Sequence, residues 1–392
     1  VNPRNIRLSS VQWEQSSSWN LGFDIGLFEG KLDGSVSLYT KKTTKMLLSG
    51  QAIPSSSGYS TLDYMNSGEM HNAGWEFSLN TNRLIRVGDF SVRTNISFAD
   101  NINELTKMDP TILDNMNKEF DFNNGSYLTY IQLNNAFGSI YGFKYKGVYQ
   151  YTDYSPVEIE GVSGPNAPVV RDAEGNVILD QKGQPKPVMF DYGTGSHKNY
   201  EFVGGDAIYE DINHDGNINE LDIVYLGSSL PKFNGGFGVN FSYKRFSANF
   251  QFNFRVGNKI INAARMNLEN MYGNDNASAA VNWRWRVEGD KTEIPRALHN
   301  TGYNYLGSDR FVENGSFLRL NYMQFSYSMD PKVIKSLHLS SLRFDLNMNN
   351  VFCLTKYSGA DPEVGVGGMN IAQDNSKTPR SKSFTFSLSA SF

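Results

Sequence analysis

The sequence predicts an all-β fold: an antiparallel transmembrane β-barrel. Three observations carry this. Segments of apolar–polar alternation recur along the 392-residue chain, and alternate residues of a strand point to opposite faces. Each segment is about nine to eleven residues long, enough to cross a bilayer when tilted. The connections alternate short and long, as in a barrel with short turns at one rim and long loops at the other.

The closing segment, Ser383-Phe384-Thr385-Phe386-Ser387-Leu388-Ser389-Ala390-Ser391-Phe392, alternates without a slip and ends on an aromatic. One face is oily and the other small and hydroxylated, as a wall between lipid and a wet lumen requires. Earlier segments repeat the pattern in order. Leu21, Phe23, Ile25 and Leu27 alternate with Gly22, Asp24 and Gly26, and Leu32, Val36 and Leu38 stand against Asp33, Ser35 and Ser37. Trp75, Phe77 and Leu79 follow, then Phe90, Val92, Ile96 and Phe98. Phe237, Val239, Phe241 and Tyr243 lead directly into Phe246, Ala248, Phe250, Phe252 and Phe254. Between the latter lie Ser247, Asn249, Gln251, Asn253 and Arg255, a polar lumen face. In 317–329 the apolar parity switches between Tyr322 and Met323, which reads as a β-bulge. Leu342, Phe344, Leu346 and Met348 then oppose Arg343, Asp345, Asn347 and Asn349. Tyr39, Tyr243 and Tyr327, near strand ends, suit an interfacial girdle.

Lys244-Arg245 is a two-residue link, and 28–32 and 83–89 are also short. Long polar segments occupy about 45–72, 100–235, 257–316 and 353–382, and read as extracellular loops. With the short turns in the periplasm, the first strand descends and the C-terminus is periplasmic. The count of crossings is then odd: nine, or eleven if 143–150 and 127–133 add a pair. An odd count cannot close an even bacterial barrel, and open edges are untenable in lipid. The remaining strands are therefore expected from an N-terminal part. The opening Val1-Asn2-Pro3, without an initiator Met, reads as part of a longer precursor.

Composition agrees and excludes. Aromatics are 13% and glycines number 36, a mix for strands and turns. Mean hydropathy is −0.44 and no run of about 18 apolar residues occurs, so no helix spans a membrane. A net charge of −4 without a basic stripe argues against nucleic acid. Cys353 alone makes neither a disulfide nor a thiolate cage. No GxSxG elbow, P-loop or GxGxxG is present, and no carboxylate pair can be placed for glycosidase work, so no enzyme is expected. His71, His197, His214, His299 and His338 lack zinc-site spacing and read as solvated loop residues.

Asp211-x-Asn213-x-Asp215-Gly216-x-Ile218-Asn219-x-x-Asp222 is the sharpest local motif. Oxygen ligands at positions 1, 3, 5, 9 and 12, with Gly at 6, follow the order of an EF-hand calcium loop. Asn217 at position 7 would offer its backbone carbonyl. Asp222 stands where that loop prefers Glu, so the shorter carboxylate must approach more closely. A turn held by Asx hydrogen bonds is the plainer alternative. Calcium here would be structural, stiffening a loop. Tyr59, Tyr64, Trp283, Trp285, Tyr303 and Tyr305 could stack on sugar rings, although loop packing or interface anchoring is the plainer alternative.

Several segments together resemble the SusC-like (SusC/RagA-type) branch of TonB-dependent outer-membrane transporters. They are Trp19-Asn20-Leu21-Gly22-Phe23-Asp24, Asn72-Ala73-Gly74-Trp75-Glu76, Tyr209-Glu210-Asp211-Ile212-Asn213-His214-Asp215-Gly216, Glu313-Asn314-Gly315-Ser316-Phe317-Leu318-Arg319-Leu320, Asn350-Val351-Phe352, Lys356-Tyr357-Ser358-Gly359-Ala360-Asp361-Pro362-Glu363 and Pro379-Arg380-Ser381-Lys382-Ser383-Phe384. The resemblance implies the C-terminal part of a plugged barrel of roughly 22 strands. It implies a SusD-like lipoprotein lid, TonB acting through the missing N-terminal part, and a glycan or peptide substrate. Lumen residues such as Asn249, Gln251 and Asn253 would then hold the plug by polar contacts. Two other readings fit the residues alone: a passive porin, and a soluble calcium-binding, carbohydrate-binding β-sandwich.

Overall fold

The computed structural model describes residues 5–6, 8–53, 55–59, 61–117, 127, 131–150, 168–172, 174–193, 199–365 and 371–392. Among them, nine strands form one antiparallel sheet in chain order: β1 (Gln15–Leu27), β2 (Leu32–Thr44), β3 (Glu69–Val87), β4 (Phe90–Lys107), β5 (Phe233–Tyr243), β6 (Phe246–Val256), β7 (Phe317–Ser328), β8 (Ser341–Thr355) and β9 (Ser383–Ser391). The lower of the two expected counts holds for the described residues. Within 143–150, the segment considered for an extra crossing, Tyr145–Val148 pairs elsewhere, with Ala207–Tyr209. Of its suggested mate, Tyr127 and residues 131–133 carry no strand, and 128–130 lie outside the described residues. No other sheet exceeds three strands among the described residues, so nothing faces the wall as the second layer of a sandwich.

Register turns the alternation into two surfaces. Outward rows are apolar: Val36 pairs with Phe77, Phe77 with Phe98, and Phe237 with Ile96 and Phe252. The Phe237 and Phe252 rings stack with centroids 4.6 Å apart. Inward rows are polar across five strands. One runs Asn95, Gly238, Gln251, Tyr322, Asn349; the next Arg93, Asn240, Asn249, Gln324, Asn347; the third Ser91, Ser242, Ser247, Ser326, Asp345. Their side chains bond to one another, as polar groups on a shielded face should. Ser91 and Ser242 hydroxyls lie 2.7 Å apart, Tyr322 donates to Asn347 at 2.8 Å, and Arg343 Nε donates to Asp345 at 2.8 Å.

Four details differ from the sequence expectation. Strands β1 to β4 run 13, 13, 19 and 18 residues, beyond the nine to eleven of clean alternation. Their ladders continue through polar residues, as in the pairs Lys42–His71 and Asn72–Asn103, so these hairpins protrude past the lipid band. His71 thus lies in a strand, 2.8 Å from Thr40 Oγ1, and not in a loop. The bulge sits at Asn321, where the register shifts against both neighbouring strands, one residue before the position the parity suggested. Tyr39 faces inward, not into a girdle, because it alternates with the outward Leu38. Its ring lies over Gly74, where an added Cβ would come within 2.5 Å of the Tyr39 hydroxyl and 2.3 Å of the Asp100 carbonyl.

The sheet is open. β1 and β9 each pair on one side only among the described residues, and both expose large apolar side chains such as Leu21 and Phe386. The two faces of β6 give a direct test in the complete protein. Phe250→Arg, on the outward face, should cost about 2–4 kcal/mol of barrel stability, whereas Gln251→Arg, one residue on and facing inward, should change it little. Denaturant unfolding in detergent reads both, and equal losses would contradict the two-faced wall.

Candidate functional site

Among the described residues, the four long connections leave one rim of the sheet and interlock into a body of loops. Its largest core gathers Phe143, Phe190, Phe202, Tyr209 and Ile218 from the β4–β5 connection with Leu306 from the β6–β7 connection. A second core joins Ile260 of the β6–β7 connection to Tyr357, Val364 and Ala372 of the β8–β9 connection. These contacts bury polar groups that must then be paired. Asp206, fully buried, accepts from Arg296 Nε at 2.7 Å, from the Tyr200 hydroxyl at 2.8 Å, from the Val203 amide at 2.9 Å and from Asn304 at 3.2 Å. Burial alone would lower the Arg296 pKa, but the carboxylate outweighs it and holds the guanidinium above its usual range. Burial raises the Tyr209 phenol far above its usual range; its hydroxyl donates to the Tyr303 carbonyl and accepts from the Leu306 amide.

A second polar cluster ties the β6–β7 connection to the β8–β9 connection. Glu269 pairs with Arg265 at 2.9 Å and with Arg310 at 2.7 Å. Glu313 accepts from the Ser358 hydroxyl at 2.7 Å, the Ser358 amide at 2.8 Å and Asn262 at 3.1 Å. Burial pushes the Glu313 carboxyl up, but those donors and the charge of Arg265 outweigh it and hold it below its usual range. Nearer the wall, Arg319 on β7 faces inward and binds Asp361 at 2.5 Å and Glu363 at 3.4 Å, while Arg380 binds Glu363 at 2.8 Å. The last connection is thereby drawn against the inner surface.

The acidic motif forms a compact turn. The Asp215 amide donates to both Asp211 Oδ1 and Asn213 Oδ1, and the Gly216 amide to Asp211 Oδ2 at 2.8 Å. Gly216 takes φ +84, a conformation that L side chains resist. Asp215 accepts from the Asn217 amide, and Asn219 caps the turn Glu220–Asp222 by accepting from Leu221. Asp222 is buried and reaches back to the amides of Ile212 and Asn219, both at 2.8 Å. Burial lifts its carboxyl to about 6, and the charges of Asp211 and Asp215 add to the rise. The donor set is all oxygen, the type a hard divalent cation takes. Among the described residues, however, Asp211, Asp215 and Asp222 do not converge into a cluster that could hold a metal ion. Each is turned onto backbone amides, and the Lys186 ammonium donates to the Asp215 carbonyl.

The aromatic candidates do not share one surface. Trp285 is 5% exposed, with its indole N–H donating to Gln150. Tyr305 is 7% exposed against Tyr272, and Tyr303 packs on Phe190 with centroids 3.9 Å apart. These three serve as loop packing. Tyr59 is half-buried, while Tyr64 and Trp283 keep exposed rings. His197 lies outside the described residues. Motif reading did not find a cleft of about 400 Å³ lined by Gln132, Tyr141, Tyr192, Glu220, Leu221 and Ile223, beside the acidic turn.

The sequence profile described as TonB dependent receptor-like, beta-barrel, matches residues 3–176. Two TonB-dependent receptors of Formosa agariphila are 31% and 29% identical, covering 100% and 98% of this chain. The chain belongs to the TonB-dependent receptor β-barrel family. It spans 37% and 34% of those two receptors. The TonB-dependent receptor SusC of Bacteroides thetaiotaomicron is 24% identical, covering 98% of this chain and 32% of its own. The structure of the RagAB peptide transporter superposes with a TM-score of 0.65 at 23% identity, over 97% of this chain and 36% of that one, and so shares the fold. As a TonB-dependent receptor barrel, the chain lies in an outer membrane, and the apolar face of its sheet meets lipid.

Two measurements probe the loop body of this receptor. Asp206→Ala strands Arg296, Tyr200 and Asn304 around an emptied site and should cost about 3 kcal/mol locally, seen as faster protease nicking within 200–304 while the wall stays folded. Glu313 sets a pH dependence. Its folded pKa is depressed, so its stabilisation is present above the ordinary carboxylate value of about 4.3 and is lost as pH falls through the folded value. Glu313→Gln should flatten the acid-induced rise in protease susceptibility; an unchanged acid profile would remove Glu313 from that role.

Proposed function

We propose that the protein to which this chain belongs is an outer-membrane active importer of oligosaccharides or peptides, energised through TonB and working with a SusD-like surface lipoprotein as lid. The observation that carries the reading is the wall itself: apolar rows outside, polar rows inside with hydrogen bonds among their side chains, and interlocked loops at one rim. The names of the relatives support it, since they are TonB-dependent receptors, SusC among them, and the RagAB neighbour is a peptide importer. In this reading the short turns and the C-terminus face the periplasm, and the long loops face outward. The edges of β1 and β9 are completed by further strands, and a plug contributed from outside these residues fills the lumen against the polar rows. Uptake of labelled peptides or oligosaccharides by cells carrying the complete receptor should cease when TonB coupling is removed. Uptake that persists without TonB would replace the importer with a passive porin.

The acidic turn, whose carboxylates here are turned onto backbone amides, is proposed as a calcium site that closes only around the bound cation. Asp211, Asn213, Asp215, Asn219 and Asp222 would supply side-chain oxygens and Asn217 its carbonyl. The cation would relieve the repulsion already felt at Asp222 and stiffen the loop body. Affinity on the order of 10⁻⁴–10⁻³ M suits an extracellular module. Titration calorimetry of the complete receptor with calcium chloride should show binding that Asp215→Ala and Asp222→Asn abolish. Absence of heat, or heat unchanged by both substitutions, would leave the motif an Asx-bonded turn.

A further inference from the structure

On β6 the lipid-facing surface is interrupted in a way that import does not require. Ala248 on β6 is small in a neighbourhood of aromatics, pairing with Phe241 on β5 and Phe325 on β7. Phe250 packs edge-on against both of those rings, with centroids 6.1 and 5.8 Å away. Towards the turn, the Phe246 and Tyr327 rings lie 4.6 Å apart. The missing volume at Ala248 leaves an open apolar groove of about 290 Å³ that reaches across to Phe386 on β9.

The end of this groove nearest the turn is charged. Tyr243 borders it, and Lys244 holds its Nζ 5.5 Å from the centre of that ring. Arg245, the next residue, is neutralised by Asp330 at 2.5 Å. Lys244 has no ion-pair partner among the described residues. An uncompensated ammonium thus sits where tyrosine rings mark the membrane–water boundary, directly beside an apolar groove open to hydrocarbon. A lysine at such a level attracts lipid phosphate, and a groove in an oily wall takes an acyl chain. Another protein wall pressed on this face would fill the groove but leave the ammonium without its anion.

We propose that this groove is a specific phospholipid site in the leaflet at the short-turn rim, with one acyl chain lying over Ala248 and the phosphate held by Lys244. Only the outward orientation of the apolar rows is required; the importer reading can fail without it. Native mass spectrometry of the complete receptor released from phosphatidylglycerol nanodiscs tests it. Wild type should retain a single phospholipid under activation that strips the bulk lipid. Lys244→Gln should lower the retained fraction about fivefold, Lys244→Arg should preserve it, and Ala248→Phe, which fills the groove, should abolish it. Equal retention by wild type and all variants would mean bulk lipid only and overturn the site. So would a receptor dimer, in place of bound lipid, that dissociates on Ala248→Phe. Should Ala248→Phe not assemble, the contrast between the two Lys244 variants decides alone.

Discussion

Everything in this chain follows from a shortage of partners in hydrocarbon. A peptide N–H or C=O in lipid finds no water, so a strand in the wall must be hydrogen-bonded on both sides. That requirement forces an antiparallel meander with each strand beside its chain neighbour, and the observed order β1 to β9 is such a meander. Side chains obey a second consequence. Because a strand alternates, one residue in two meets lipid and the next meets the lumen, and a slip of a single residue would turn every charge into the bilayer. The bulge at Asn321 is the permitted exception: one extra residue lets β7 switch parity between Leu320 and Tyr322 while both neighbours stay in register again.

This is why the wall was legible in the sequence. Phe246 to Phe254 and the residues between them state the two faces outright, and the register confirms each assignment. Legibility ended where lipid ended. The polar outer halves of β2, β3 and β4 carry no alternation to read, since both of their faces meet water or loops, and their strand content comes from ladder pairing alone. The residue type of Tyr39 suits an interface; only its alternation with Leu38 and the packing of its ring over the bare Gly74 assign it inward.

The loop body was opaque for a different reason. Its cores are made by residues far apart in the chain, such as Phe190 with Leu306 and Ile260 with Ala372. No local period announces such contacts. The buried carboxylate Asp206 looks like any surface acid in the sequence, and Arg296 is ninety positions away. Motif reading reached only what is local. It therefore located the acidic turn, where ligands two to eleven positions apart must cooperate, but it could not say which of Trp283 and Trp285 would be buried.

If the proposed importer carries a plug in its lumen, the contrast between the two polar regions bears on how that plug can move. Inside the loop body, charges are buried and multiply bonded, and breaking one partner of a buried pair is costly. On the inner wall the rows are serines, asparagines and glutamines, with Asp345 already satisfied by Arg343 and Ser326 within the sheet. Hydrogen bonds from such groups to a plug would replace hydrogen bonds to water, so each contributes only about 0.5–1.5 kcal/mol net. An apolar lining would instead have bound a plug by burial proportional to area, and water entering behind a moving plug would have met oily wall. Polar rows give a surface that holds by many weak, separately exchangeable bonds and is wetted as each is released. A pull applied at one point can open such a contact stepwise, while the charge clusters at the rim keep the loops in place.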